Sequence, residues 1–298
     1  MTTQFLQQIR RAISHLNPNE IRAAAEKRVR ILVEAGSSAS YAAVEDFLLP
    51  AGISHEKRMA AMATLTRACD AAPSGRYHLV FHERGIAPPD GWTADVDAFR
   101  FDPARLDLLV EDILERRNEL GLPLARMFPP FRGAVARRTI QTVSKENALF
   151  SLMTALPNVM PGAVQIPWAV GEFASDTAVL TVNQIRMAFL LAAASDREVG
   201  YREQRTEIGS LIAGALGWRA AARELSGKIP FGGGLIPKAA IAYAGTYAVG
   251  VSLERLYRIG YGLTRQERRE VYEAALGRGR EVAVQLINRI RGRGEEAS

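Results

Sequence analysis

The sequence predicts a predominantly helical α+β protein. A small N-terminal α/β domain, residues 1–125, precedes an all-helical domain, residues 126–298, with two long apolar segments. Three observations predict this. Before residue 125, short β-branched and aromatic runs alternate with stretches of helical periodicity, as in strands packed on helices. After it the strand signals fade. Two stretches then carry almost no charge: NALFSLMTALPNVMPGAVQIPWAVG between Glu146 and Glu172, and residues 229–253, broken only by Lys238. Runs of about 25 residues are long enough to cross a bilayer core.

The elements follow in order. MTTQFLQQIRRAISHL lacks the continuous apolar core of a secretion signal, and Phe5, Ile9, Ile13 and Leu16 recur at helical spacing. A short amphipathic helix is expected. Asn17, Pro18 and Glu20 have the layout of a helix start. Residues 29–33 (VRILV) read as a strand, residues 77–81 (YHLVF) as a second, and residues 98–101 as a third. Residues 41–49 and 55–69 read as helices. Asp102 and Pro103 open another, with Leu106, Leu109, Val110, Ile113 and Leu114 on one face.

Residues 121–131 (GLPLARMFPPF) mark the domain boundary. Helices are expected over residues 132–148, 168–194, 203–226 and 237–257. Thr264 and Glu267 form a capping-box pattern that opens a polar helix running to Leu276. Gly277 and Gly279 are expected to interrupt it before a last helix over residues 280–291. Pro157, Pro161 and Pro167 argue for a bent or re-entrant apolar leader, with regular helix from Trp168.

Bulk properties narrow the function classes. The chain has 298 residues, 48% hydrophobic and 23% charged, which is the composition of a folded protein. Its mean hydropathy of −0.05 makes any membrane part local. The net charge of +6 suits nucleic acid or anionic lipid. No run interleaves aromatic with basic side chains as a base-stacking surface does. The expected partner is therefore a membrane or anionic lipid, and not nucleic acid. A single cysteine, Cys69, forms neither an internal disulfide nor a cysteine metal site.

The loop after the first strand has the strand–loop–helix layout of a phosphate-binding loop. Such loops use glycines to turn backbone N–H groups toward phosphate and a lysine to reach the terminal phosphates. At the comparable positions this chain has Glu34, Ala39, Ser40 and Tyr41. The lysine is missing, and a carboxylate would sit beside any phosphate. Gly36, Ser37, Ser38 and Ser40 are the weak candidates for anion contact. The domain is a degenerate P-loop-like or Rossmann-like fold, or the loop is an ordinary βα connection.

His78 and His82 share the second strand, about 13 Å apart, too far to chelate one metal. No sequence motif pairs His15 or His55 with another residue. Neither H-E-x-x-H nor G-x-S-x-G occurs. No catalytic residue, metal ligand or cofactor is assigned. Gly232, Gly233 and Gly234 read as a flexible or close-packed turn.

Two patterns in the helical part carry more information. Glu172, Asp176, Asn183 and Arg186 fall within about 80° on one helix whose other positions are almost all apolar. Such a narrow polar stripe is a solvated face, or it turns inward and neutralises itself within a bundle. Ala240, Ala244, Ala248 and Ser252 recur every four residues, with Ala242, Thr246 and Gly250 as a second row, a pattern that lets helices approach closely. Gly209, Ala213 and Gly217 repeat it upstream.

LPNVMPG, PWAVGEFASDTAVLTVNQIRMAFLLAAASD and IPFGGGLIPKAAIAYAGTYAVG occur in that order. This series resembles a bacterial domain of unknown function, the family numbered 697, related to YcjF-like inner-membrane proteins. The resemblance rests on Asn183, Gln184 and Met187, and on the element from Pro237 through Ala242, Tyr243, Ala244, Thr246, Tyr247 and Ala248 to Gly250. It covers a little under half of the chain. It implies membrane association and linkage to a GTPase, and it carries over no catalytic residue.

The function expected is a non-catalytic adaptor or regulator at the cytoplasmic face of a bacterial inner membrane. Its partners would be a GTPase, another membrane protein or a second copy of the chain. The alternatives are a cytoplasmic helical-bundle interaction protein and a nucleotide-binding protein using the loop over residues 34–41.

Overall fold

The computed structural model describes residues 2–68, 77–87, 98–154, 176–226 and 234–295. Cys69, Glu172, Gly232, Gly233 and most of the first apolar run, with its three prolines and Trp168, lie outside the described residues. The described chain is predominantly helical with one small parallel sheet. Its contacts divide it into two compact units. One comprises residues 20–137 and 193–197, and the other residues 1–19, 138–192 and 198–298. The N-terminal helix thus belongs to the helical unit rather than to the α/β unit expected over residues 1–125.

In the α/β unit, α2 (Pro18–Ala25) leads to β1 (Ile31–Glu34), α3 (Ser38–Leu48), α4 (His55–Met62) and β2 (Leu65–Arg67). β3 (Leu79–Glu83), β4 (Ala98–Phe101), α5 (Leu106–Arg116) and α6 (Gly121–Met127) follow. All pairings are parallel and the order is β2-β1-β3-β4. Ile31 stands opposite both Leu65 and Leu79, and Phe81 opposite Phe99.

Side-chain alternation sends Ile31, Val33, Leu79, Phe81, Phe99 and Phe101 into one core with Val44, Leu48, Leu109, Val110, Ile113, Leu114, Phe128 and Phe131. Leu32, Val80 and Ala98 face the other side. The phenylalanines at 81, 99, 128 and 131, all in the first core, are among the largest fully buried side chains.

Local sequence sets the helix starts. Ser37 and Ser54 accept N-terminal N–H bonds from Ser40 and Lys57. Asp102 caps the 3₁₀ turn Pro103–Arg105 that runs into α5. One expectation fails: residues 55–69 are not a single helix. α4 ends at Met62, and Leu65–Arg67 becomes β2 because the edge beside β1 recruits it. The Ile31 N–H bonds to Thr64 O at 2.9 Å at the entry to this pairing. His78 falls just before β3, so it and His82 do not share a strand.

In the helical unit, α1 (Thr2–Ser14) packs Ile9 against Ala178, with Ile13, Ile212 and Ala215 around them. The unit contains most of α7 (Pro129–Met153) and α8 (Asp176–Ala194), then α9 (Arg205–Ser226), α10 (Leu235–Ile259) and α11 (Arg265–Glu295). The glycines expected to break the last helix do not. α11 runs through Gly277 and Gly279 for 31 residues. It packs along α10 through Ala275 and Ala283 against Ala239, Tyr243 and Ala244.

Among the described residues one helix is long and apolar enough to cross a membrane, α8 over Thr177–Ala194. Of that window 72% is buried inside the protein, as in core helices of soluble proteins. α10, which holds most of the second apolar run, does not reach that standard.

Candidate functional site

Two places concentrate polar groups. The first is the carboxyl edge of the sheet. β1 ends at Glu34, β3 at Glu83 and β4 at Phe101. The strand order reverses at β1, with β2 on one side and β3 on the other. In open parallel sheets, ligands bind in the crevice outside the strand ends at such a reversal. A cleft of about 340 Å³ lies there, between the strand ends and the start of α3. Val44, Phe81 and Phe101 form its buried floor. Glu34, Glu83 and Asp102 line it as carboxylates, and His82 and Arg84 line it as bases.

The structure brings Gly36, Ser37, Ser38 and Ser40 together at the start of α3, and their polar groups bond within the protein. The Gly36 N–H donates to Glu83 Oε2 at 3.0 Å. The Ser40 N–H donates to Ser37 Oγ at 3.1 Å, and the Ser37 and Ser40 hydroxyls are 3.0 Å apart. Ser38 Oγ accepts from Arg67 Nη1 at 3.2 Å. A methyl group on Gly36 would sit 3.0 Å from Ile86 Cδ1, so the glycine permits a close approach of side chain to loop. Where a phosphate-binding loop presents an N–H to its ligand, this loop presents it to its own carboxylate.

The two histidines of the sheet region, His78 and His82, are held by hydrogen bonds. His78 Nδ1 accepts from the Arg30 N–H at 3.1 Å. Burial first, then the charges of Lys27, Arg117 and Arg30, push its pKa below the ordinary imidazole range. His82 Nδ1 lies 2.8 Å from Ile86 O, which assigns the proton to Nδ1 in the neutral ring.

The second place is inside the helical unit, where α7, α8 and α10 share a polar network. Asn183, 2% exposed, donates to Asn147 Oδ1 at 2.8 Å and to Glu146 Oε2 at 3.2 Å. Its own oxygen accepts from Arg186 Nε at 2.9 Å. Arg186 also pairs with Glu146. Asn147, 1% exposed, donates to Thr246 Oγ1 at 2.8 Å, and Gln184 Nε2 reaches the same hydroxyl at 3.4 Å. Buried amides need such partners, because leaving one unbonded costs about 1–3 kcal/mol.

Of the stripe read from the sequence, Asn183 and Arg186 turn inward and join this network. Asp176 is the first residue of α8, and Glu172 lies outside the described residues. The acid that neutralises Arg186 is Glu146 on α7, which sequence reasoning did not pair with the stripe. A signal was present, since Glu146 is the last charge before the charge-free run, and Ser144, Asn147 and Ser151 place buried polar groups on α7 at helical spacing.

The small-residue rows on α10 pack within the chain. Ala240, Ala244, Ala248 and Gly250 are all buried. A Cβ on Gly250 would meet Ile140 at 2.8 Å and Met187 Sδ at 3.0 Å. A Cβ on Gly279 of α11 would meet the Ala240 carbonyl oxygen at 2.8 Å.

The contacts also fix the register of the bundle. Ile140 lies level with Met187 and Gly250, Asn147 with Asn183 and Thr246, and Thr154 with Lys238, whose Nζ donates to Thr154 Oγ1 at 3.2 Å. α7 therefore runs antiparallel to α8 and α10. Seven residues beyond the Asn147–Asn183 level, about 10 Å at helical rise, α7 has reached Thr154 and α8 its first residue.

No protein-family model, no curated protein and no solved structure matches the chain.

Proposed function

We propose that this chain is a non-catalytic adaptor or regulator that associates with a membrane, at the cytoplasmic face of a bacterial inner membrane. One observation carries the reading. The end of α7 and the starts of α8 and α10 share one end of the helical unit. The sequence between α7 and α8, residues 155–175, has Glu172 as its one charge and carries three prolines, and the second apolar helix starts at the same end as α8. A nearly uncharged, proline-containing sequence joining two apolar helices supports contact with a bilayer or the apolar face of a membrane partner.

Kinship with the family numbered 697 belongs to the same proposal, supported by the ordered sequence elements around Asn183 and Tyr243. It makes a GTPase or another membrane protein the partner class, with a second copy of the chain as the alternative. The α/β unit is proposed as a degenerate P-loop-like or Rossmann-like domain. Its parallel sheet, its strand order and the strand–loop–helix layout support this. The missing lysine and the carboxylate bonded to Gly36 argue against nucleotide hydrolysis.

A second reading has its own support. α8 is mostly buried, and Asn183 and Arg186 of its polar stripe bond to Glu146, which also fits a soluble helical-bundle interaction protein. Alkaline carbonate extraction of membranes from expressing cells separates the two. Retention in the pellet supports the adaptor integrated in the membrane, and release into the supernatant supports the soluble bundle.

A further inference from the structure

The cleft at the carboxyl edge of the sheet has a chemistry that neither membrane association nor nucleotide binding uses. We infer that it binds a small organic cation, an ammonium group carried on an apolar body. The inference concerns the α/β unit alone and does not rest on the adaptor reading.

Place and shape come first. The cleft sits where the strand order reverses, at a volume within the range of small-molecule pockets. Its floor is apolar: Val44, Phe81 and Phe101 are each at most 5% exposed. Ala39 and Ala43 of α3 line it with methyl groups only, which keeps the space open.

Charge then selects the ligand. Three carboxylates, Glu34, Glu83 and Asp102, face the cleft against one guanidinium, Arg84. Glu83 gives one oxygen to the Gly36 N–H, and Asp102 gives one to the Ala104 N–H. Among the described residues the other oxygens of these two groups, and both of Glu34, accept no hydrogen bond. An anion entering here meets carboxylates and finds the Gly36 N–H already taken. A bare metal ion finds no group of three suitable ligands among the described residues. An ammonium group at the carboxylates, with its apolar part over the phenylalanine floor, satisfies both halves of the surface.

The test uses the full chain in nanodiscs of neutral lipid and phenethylammonium as the probe, with empty nanodiscs as the blank, followed by saturation-transfer NMR and calorimetric titration. 2-Phenylethanol (same body, no charge), 3-phenylpropionate, magnesium alone and magnesium–GTP run in parallel. The expected result is binding of the ammonium compound in preference to all four. Glu34→Gln should weaken it about tenfold, the scale of one charged hydrogen bond. Ala39→Leu, at an exposed position on α3, should fill the cleft and abolish binding with an unchanged thermal melt. Equal binding of the alcohol, preference for the propionate or GTP, or no binding at millimolar probe would each overturn the inference. Should Ala39→Leu fail to fold, Glu34→Gln still decides it.

Discussion

Asn183 uses both ends of its amide inside the helical unit, donating to Asn147 and Glu146 and accepting from Arg186. Replacing it with alanine leaves the Asn147 carbonyl without that donor and removes one of the acceptors of Arg186. Asn183→Ala is expected to cost about 2 kcal/mol in chemical denaturation. In a double-mutant cycle, Asn147→Ala combined with Asn183→Ala should cost at least about 0.5 kcal/mol less than the sum of the two. Strict additivity would show that the pair does not interact.

Glu267 is the second residue with a sharp expectation. Arg255 bonds its carboxylate at 2.6 Å, and the Thr264 N–H donates to it at 2.8 Å. Arg255 foremost, then Thr264, depresses its pKa from 4.5 to about 2. A folded pKa below the unfolded one means the stabilisation is fully present above pH 4.5 and is lost as pH falls through 2. Melting temperature measured across that window should fall less steeply for Glu267→Gln than for the parent chain. Parallel curves would contradict the assignment.

At the scale of elements, glycines set how closely the helices approach. A methyl group at Gly279 meets the α10 backbone at Ala240, which has no rotamer to yield, and one at Gly250 meets Ile140 and Met187. Gly279→Ala and Gly250→Ala should each destabilise by about 1–3 kcal/mol. At Gly245, in the same helix as Gly250, nothing lies within 4 Å of an added methyl. Gly245→Ala should be neutral or stabilise by up to about 1 kcal/mol through helix propensity. The three variants compared by thermal melting separate packing from propensity.

These elements also show what the sequence could reveal. The capping box of Thr264 and Glu267, the Asp102 cap and the strand Ala98–Phe101 are local patterns, and each forms as its local chemistry dictates. β2 was not legible, because Leu65–Arg67 becomes a strand only through pairing with β1. The continuity of α11 was hidden for the same reason, since Gly279 breaks a helix on propensity but fits one that presses on Ala240. Half of the polar network was readable from Asn183 and Arg186. The other half, Glu146, Asn147 and Thr246, depends on helix register. The cleft depends on strand order, which no spacing in the chain discloses.

At the scale of the whole molecule, the chain comprises an α/β unit with a cleft at its sheet edge and a helical unit with a polar network, whose amides are buried and whose Glu146–Arg186 ion pair is partly exposed. Asn183 and Arg186 are bonded within the helical unit, which removes one motive for reading that part of α8 as a solvated face. The proposed membrane association rests on the apolar sequence between α7 and α8, residues 155–175, whose one charge is Glu172. The claim that this sequence meets a bilayer is tested most directly by alkaline carbonate extraction of membranes from cells producing the full chain, alongside a Leu156→Asp, Val164→Asp variant. The account predicts the parent chain in the membrane pellet and the variant shifted to the supernatant. Complete release of the parent chain into the carbonate supernatant would contradict it.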